Sequence, residues 1–250
     1  MEIDTRPDDD RLARERAFHN ARFEEGDNRQ VQLKYYWAIA EGAERYVETV
    51  ARLAAGKDVL EYGCADGSFA RRLAPEARSV AAIDISDAAI RNAAAGCDAP
   101  NVRFAVMDAM NMDFRGGSFD LVFGSGIVHH LATADCAREV SRVLRPGGTA
   151  LFWEPLGLNP AINLYRYLTP SARTPDEHPL LLADFRILRE HFASVSVQRY
   201  GLTTFLALPF RAKPMGAVLR SALGKLDAAL TAMPGVRELA WYALITCQKA

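Results

Sequence analysis

Short apolar segments alternate with segments of helical periodicity between residues 58 and 155, and this alternation constrains the fold more than any other feature. The apolar segments are DVLEYG, SVAAIDI, VRFAVMD, FDLVFGSG and TALFWEP. Strands that are apolar throughout and are separated by helices predict a parallel sheet covered on both faces. The later segments ASVSVQRY and ELAWYALITCQK predict a sixth and a seventh strand, so we expect an α/β fold.

The remaining segments divide the chain around this core. Two helices are predicted before the first strand, over about 9–28 and 31–53, so that residues 1–54 form an N-terminal helical segment before a core at 55–155. Two long stretches fit no ordinary connection, and long inserts in an α/β domain usually build a lid or a pocket. We therefore assign 156–180 to a cap insert, and 181–250 to the rest of the core with a helical insert at 201–236.

Charge and cysteine usage narrow the class of protein. Lys and Arg (30) nearly balance Asp and Glu (31), so no global charge draws the chain to nucleic acid. The charged N-terminus resembles neither a signal nor a transit peptide, and no apolar run reaches the roughly 18 residues that span a bilayer. The cysteines are far apart without a CxxC pair, which predicts neither disulfides nor a zinc site. We expect a cytoplasmic protein without a bound metal.

The loop GCADG, residues 63–67, follows the first strand and restricts the choice of nucleotide. A dinucleotide loop needs G-x-G-x-x-G, whose second glycine admits a pyrophosphate, but Ala65 stands there; a P-loop is excluded because no Gly-Lys-Ser/Thr follows. The pattern of Glu61, Gly63 and Gly67 suits a cofactor with a charged amino-acid tail and no phosphates, such as S-adenosylmethionine. Because the Cβ of Ala65 disfavours positive φ, we expect a right-handed or extended backbone there.

From residue 59 to 155 the sequence resembles the class I S-adenosylmethionine-dependent methyltransferases in motifs that occur in order: VLEYGCADG, VAAIDIS, MDAMNMDF, FDLVFGSGIVHHL and REVSRVLRPGGTALFWEP. The resemblance implies a Rossmann-like, seven-stranded, mostly parallel sheet with helices on both faces, an antiparallel last strand and helical inserts forming a cap. It implies S-adenosylmethionine as cofactor, S-adenosylhomocysteine as product, and N-terminal helices covering the cofactor site. The cofactor-binding residues that it implies are Glu61, Gly63, Cys64, Gly67, Asp84, Ile85, Asp108, Ala109 and Ser125.

Two acids have specific roles in this assignment. Asp84, at the end of the second strand, is expected to hold both ribose hydroxyls, and Asp108 is expected to face the exocyclic amine of adenine. The carboxyl ends of parallel strands meet at one edge of a sheet, so these side chains can converge on one ligand. The alternative for each is an ordinary solvated acid or helix cap, and the nearby Asp113 makes the third motif ambiguous.

For methyl transfer from a sulfonium, an enzyme mainly has to orient the reactants and provide a deprotonated or electron-rich acceptor. The residues that carry catalysis can therefore be few. His129 and His130 follow the fourth strand, where an imidazole could take a proton from a hydroxyl or enol. Family members that resemble this pattern carry a histidine near the pocket, which favours His130. Glu154 ends the fifth strand and is a further candidate base or a group that binds a cationic acceptor. The alternatives are packing or helix capping for the histidines and a salt bridge to an arginine for Glu154.

Aromatic and basic residues of the N-terminal segment and the cap insert are candidates for substrate binding. They are Tyr35, Tyr36, Tyr165, Arg173 and His178. The arginines of the insert would suit a carboxylate or phosphate on the substrate. The alternatives are core packing for the tyrosines and contacts between the insert and the acidic N-terminal helix.

The C-terminal insert contains an amphipathic segment, 210–232, with leucines on one predicted face and Arg220, Lys225 and Asp227 on the other. The leucine stripe is Leu219, Leu223, Leu226 and Leu230. Such a helix would pack on its own domain, cover a long apolar substrate, or contact a membrane surface peripherally.

These patterns predict methylation of a small molecule that is partly apolar and anionic, at oxygen first and at carbon or nitrogen second. The Asn/Asp-Pro-Pro-aromatic motif of nucleic-acid N-methylation does not follow the fourth strand, where GSGIVHH stands, and no acidic ligand set for metal-dependent catechol chemistry is evident. Two alternatives stay open. One is a non-catalytic module that binds the cofactor or docks on a partner, and the other is a methyltransferase that acts on a lipid at the membrane surface.

Overall fold

A computed structural model describes residues 9–25, 35–169 and 177–250. Its sheet has seven strands in the order β3-β2-β1-β4-β5-β7-β6. The strands are β1 Asp58–Tyr62, β2 Ser79–Asp84, β3 Val102–Val106, β4 Phe119–Ser125, β5 Leu144–Pro155, β6 Ser194–Tyr200 and β7 Tyr242–Gln248. The helices are α1 Asp9–Glu25, α2 Ala40–Ala54, α3 Ser68–Leu73, α4 Asp87–Ala95, α5 Thr133–Val143, α6 Pro160–Leu168, α7 Leu182–His191 and α8 Pro214–Leu230. Short 3₁₀ segments lie at Trp37–Ile39, Val128–His130, Thr204–Phe210 and Val236–Leu239.

The strand pairing confirms the predicted mixed sheet. The pairs from β3 through β5 are parallel, whereas β7 runs antiparallel to both β5 and β6. The strand order reverses between β1 and β4, because β2 and β3 lie on one side of β1 and the later strands on the other. In an open α/β sheet this switch point is where ligands bind, outside the carboxyl ends of the strands.

Two apolar layers cover the sheet, as the uniformly apolar strands predicted. Neighbouring residues of one strand point to opposite faces, so Leu151 and Phe152 of β5 belong to different layers and both are fully buried. One layer contains side chains of α5 and α7, and the other contains side chains of α2, α3 and α4. The sheet is therefore a rigid platform whose carboxyl edge is left for a site.

The C-terminal insert is helical, but its buried face differs from the predicted one. Leu226 of α8 is 46% exposed, whereas Asp227, expected on the polar face, is only 4% exposed. The reason is a set of hydrogen bonds: the carboxylate of Asp227 accepts the backbone N–H groups of Leu202 and Thr203 at 2.9 and 2.6 Å. Arg220, also expected on the polar face, donates to the backbone oxygen of Trp37 at 3.0 Å. Among the described residues, no helix combines the length and apolar character needed to cross a bilayer.

Candidate active site

A cavity of about 130 Å³ lies at the carboxyl ends of β1 to β4, beneath α1. Six of the predicted cofactor residues line it: Gly63, Asp84, Ile85, Asp108, Ala109 and Ser125. His130 also lines it. Glu61, Cys64 and Gly67 are in the adjoining strand and loop and do not belong to the cavity wall. The motifs therefore converge at the switch point of the sheet.

The loop 63–67 has a backbone conformation that the sequence analysis did not expect. Ala65 has φ +50°, in the left-handed region, so the prediction of a right-handed or extended conformation was wrong. The physical reason is tertiary. The N–H of Ala65 donates to Oδ2 of Asp84 at 2.9 Å, and the N–H groups of Gly63 and Cys64 both donate to the oxygen of Ile83 at 2.9 Å. These bonds to β2 offset the steric cost at Cβ, which is about 1–2 kcal/mol.

Glycine is required at Gly63 and Gly67 by both conformation and space. Their φ values are +75° and +68°, and a Cβ at Gly63 would overlap Ile127 of the opposite wall. A Cβ at Gly67 would lie 2.5 Å from the ring of Phe104. Because these two positions have no side chain, the backbone of the loop lies directly at the edge of the cavity.

Asp84 is held with both carboxylate oxygens in place. Oδ2 accepts from Ala65, and Oδ1 accepts from the N–H of Ser86 at 2.9 Å. Each carboxylate oxygen has a second lone pair available, so the group can still accept from two hydroxyls. This arrangement fits a ribose.

Asp108 and Ala109 form the next part of the wall. Oδ1 of Asp108 accepts from the N–H of Met110 at 2.9 Å, which orients the carboxylate. The oxygen of Ala109 accepts from the hydroxyl of Tyr62 at 2.8 Å, which fixes the loop after β3 to β1. Both residues face the cavity as predicted for an adenine site.

Glu61 is a buried acid beside the loop. It is 7% exposed, and its Oε2 has no hydrogen-bond partner among the described residues. Burial raises the pKa of Glu61 to about 8, with Asp66 and Asp84 adding to the effect. The carboxyl is therefore protonated at neutral pH, and a bound ammonium group would favour its ionised form.

One wall of the cavity is formed by α1, none of whose residues was among the predicted site residues. Arg11, Glu15, His19 and Phe23 line the cavity and are spaced four residues apart, a helical face that could have been noticed in the sequence. Asn20 docks this helix on the start of α4. It donates to Asp87 at 2.8 Å and accepts from the hydroxyl of Ser86 at 2.6 Å.

His130 lies where α1 meets the turn after β4. Its Nδ1 is 3.4 Å from Oε2 of Glu15, and its backbone oxygen accepts from the guanidinium of Arg11. Burial lowers the pKa of His130, although Glu15 partly opposes the shift. The imidazole is therefore uncharged at neutral pH and can bind a proton or a metal ion.

His129 and Glu154 are brought together, but away from the cavity wall. Glu154 is fully buried, and its Oε1 accepts from the N–H groups of Ile127 and Val128 at 3.0 Å each. Its Oε2 lies 2.8 Å from Nδ1 of His129. The partner of Glu154 is thus a histidine rather than the arginine considered above, and the pair holds the turn that presents His130.

The predicted substrate residues form a separate group next to this pair. The rings of Tyr35 and Tyr165 are 5.2 Å apart, and Tyr36 stacks on Trp241 at 5.4 Å. The N–H of His178 donates to the backbone oxygen of His129 at 2.8 Å. None of these residues lines the described cavity, and Arg173 lies outside the described residues.

Comparison with known proteins agrees with this geometry. Residues 59–148, which contain the loop, Asp84, Asp108 and His130, match a family model described as a methyltransferase domain. Over this segment, about a third of the chain, the sequence is similar to methyltransferase domains. A relative's description names S-adenosylmethionine as the cofactor, and the oriented Asp84, the glycine cradle at Gly63 and the buried oxygen of Glu61 fit that molecule.

Relatives of this chain share the domain rather than the whole protein. A protein of Mycolicibacterium smegmatis described as a probable S-adenosylmethionine-dependent methyltransferase is 32% identical over 109 residues, 43% of this chain and 42% of that protein. The 2-methyl-6-phytyl-1,4-hydroquinone methyltransferase of Synechocystis is 38% identical over 97 residues, 37% of this chain and 30% of the relative. These matches span less than half of either relative.

A solved structure shares the fold. Phosphoethanolamine N-methyltransferase 2 of Haemonchus contortus, in complex with S-adenosylmethionine, superimposes with a TM-score of 0.57 at 21% identity. The alignment covers 82% of this chain and 52% of that chain. At this identity the likeness concerns the fold alone.

Proposed function

We propose that the protein transfers a methyl group from S-adenosylmethionine to an oxygen of a small molecule bound beside His130. The observation that carries this proposal is that the oriented carboxylate of Asp84 and the neutral imidazole of His130 line the same cavity. When bound, S-adenosylmethionine supplies a methyl group that the positive sulfur has already activated. The protein then has to orient the acceptor and remove its proton.

The cofactor half of the cavity has a role for each of its walls. Asp84 accepts hydrogen bonds from the ribose hydroxyls, and Asp108 with Ala109 holds the adenine. The backbone of the loop 63–67 contacts the aminoacyl tail, and Glu61 ionises in response to its ammonium group. The helix α1 closes the cavity from above, because Asn20 anchors it to α4.

The acceptor half is proposed to lie at the cluster of Glu15, His19 and His130, which we call the α1 cluster. It contains the carboxylate and imidazole groups needed to activate a hydroxyl. His129 and Glu154 position His130, since they hold the turn on which it lies. We propose a phenolic or hydroquinone-like acceptor, because its hydroxyl can be deprotonated by such groups and the name of the Synechocystis relative includes a hydroquinone.

Methyl transfer is tested with labelled cofactor. Purified protein is incubated with methyl-labelled S-adenosylmethionine and a panel of phenols, carboxylic acids and amines, and label in the organic phase is counted. We expect label on phenolic acceptors, and a His130→Ala variant that binds cofactor normally but loses at least about tenfold in rate at saturating cofactor. Cofactor binding without transfer to any acceptor would favour a binding module, and an unaffected His130→Ala variant would exclude the assigned role of His130.

A further inference from the structure

Three potential ligand atoms of the α1 cluster lie close together at the edge of the cavity. Oε2 of Glu15 is 3.4 Å from Nε2 of His19 and 3.4 Å from Nδ1 of His130. All three residues offer one ligand atom within 4.8 Å of the others. Glu15 and His19 are four residues apart in α1, so the helix presents them on one face.

The two 3.4 Å distances from Oε2 of Glu15 match the spacing of ligand atoms in a tetrahedral metal site. Ligand atoms at about 2.0–2.1 Å from a tetrahedral zinc ion lie about 3.4 Å from one another. Two histidines and one glutamate are also a ligand set of catalytic zinc sites, in which the fourth position stays open for water or substrate. The cluster therefore has both the donor chemistry and the spacing for such an ion.

The surroundings of Nδ1 of His130 also favour a bound metal ion. Nδ1 of His130 is buried, and apart from its contact with Oε2 of Glu15 at 3.4 Å it has no hydrogen-bond partner among the described residues. A buried polar atom without a partner is costly, and it commonly marks a ligand or water that belongs there.

A second combination nearby, His129 with His130 and Glu177, is less suitable for a metal. Nδ1 of His129 is already bound to Glu154 at 2.8 Å. Glu177 accepts from Arg166 at 2.7 Å, so its charge is already balanced. The ring of His129 instead packs against that of His130, with centres 4.2 Å apart and planes inclined by 41°.

We propose that Glu15, His19 and His130 bind one divalent transition-metal ion, Zn²⁺ by its donor set, with the open position toward the cavity. The role of the ion in catalysis rests on the proposed function. With His130 as a ligand, the ion instead of the imidazole would activate the acceptor hydroxyl: coordination would lower the pKa of the hydroxyl, and its proton would leave to solvent. An oxygen lone pair then forms the new O–C bond as the C–S bond breaks and leaves its electron pair on sulfur. No metal was expected from the sequence, which has no CxxC pair and no evident acidic ligand set, and His130 lies more than one hundred residues from Glu15 and His19.

Cobalt binding tests the site directly. The full chain, prepared without a histidine tag and stripped of metal, is titrated with Co²⁺ while the visible absorption of tetrahedral Co²⁺ is followed, and bound Zn²⁺ is counted by mass spectrometry. We expect one equivalent of either ion. Glu15→Gln and His19→Ala should each weaken Co²⁺ binding at least about tenfold, as loss of a supporting group does at metal sites. His191→Ala, at the end of α7 away from the cluster, is the matched control and should bind Co²⁺ normally.

Two readouts separate this inference from the proposed function. Circular dichroism first shows that each variant is folded. Absence of Co²⁺ and Zn²⁺ binding, or unchanged Co²⁺ binding in Glu15→Gln and His19→Ala, overturns the metal site even if methyl transfer is found. Metal binding without any binding of S-adenosylhomocysteine in calorimetry would support the metal site and overturn the proposed function.

Discussion

The backbone N–H of Ala65 donates to the carboxylate of Asp84 at 2.9 Å, and this bond connects the loop after β1 with the end of β2. Both residues line the cavity. The bond has two consequences: it aims the carboxylate, and it holds an alanine in a conformation that alanine disfavours.

Asp84 should dominate the affinity for the cofactor. In Asp84→Ala the ribose hydroxyls lose a charged acceptor, a loss of about 1.5–3 kcal/mol, and we expect affinity for S-adenosylhomocysteine to fall at least about tenfold. Titration calorimetry measures this change. The exposed Asp98, replaced by Asn, serves as control and should leave the affinity unchanged. An Asp84→Ala variant with normal affinity would show that another group holds the ribose.

Replacement of Ala65 by glycine should stabilise the fold. Glycine adopts positive φ without strain, and the gain exceeds its entropic cost, so we expect an increase of up to about 1 kcal/mol in the free energy of unfolding. Urea denaturation gives the value. Ala94→Gly, on the exposed side of α4, should instead destabilise by about 1 kcal/mol. Equal destabilisation by both substitutions would mean that Ala65 is unstrained.

Glu61 should make the cofactor-free protein less stable as pH rises. The folded state keeps the proton until about pH 8, whereas the unfolded chain releases it near pH 4.5. The stability that the protonated Glu61 contributes is therefore complete below pH 4.5 and decreases as the pH rises to about 8. The decrease is at most about 1.4 kcal/mol per pH unit. Glu61→Gln cannot titrate, so its advantage over the parent should grow between pH 5 and pH 8 in urea denaturation. A constant difference would refute the raised pKa.

Asn20 should control how firmly α1 covers the cavity. Asn20→Ala removes its hydrogen bonds to Asp87 and Ser86, which join the helix to α4. We expect faster tryptic cleavage within α1 and severalfold weaker binding of S-adenosylhomocysteine, while the thermal midpoint of the core changes little. Asn92→Ala, on the exposed side of α4, is the control. Protection of α1 equal to that in the control would show that other contacts hold it.

The parts of the site that could be predicted are those that lie within a few residues of a strand end. Asp84 ends β2 and Asp108 follows β3, so the parallel pairing of these strands places both at one edge. The contact of Glu15 with His130 joins segments 115 residues apart, and no local pattern shows such a contact. Glu154 was placed correctly at the end of β5, but its partner His129 depends on how the turn after β4 folds back.

Predictions from the preferences of single residues failed where tertiary hydrogen bonds outweighed those preferences. The steric preference of alanine predicted the wrong conformation at Ala65, because the bond to Asp84 compensates for it. Asp227 was expected on a polar face, yet it is buried because it accepts two backbone N–H groups of the preceding segment. Both cases show that a short polar or small side chain can be positioned by the groups around it rather than by its own preference.

A crystal structure of the protein with S-adenosylhomocysteine tests the central claim most directly. The claim predicts the ligand beneath α1, with its ribose hydroxyls within hydrogen-bond distance of Asp84, its adenine beside Asp108 and its sulfur on the side of His130. A ligand bound elsewhere, or a ribose with no contact to Asp84, would contradict it.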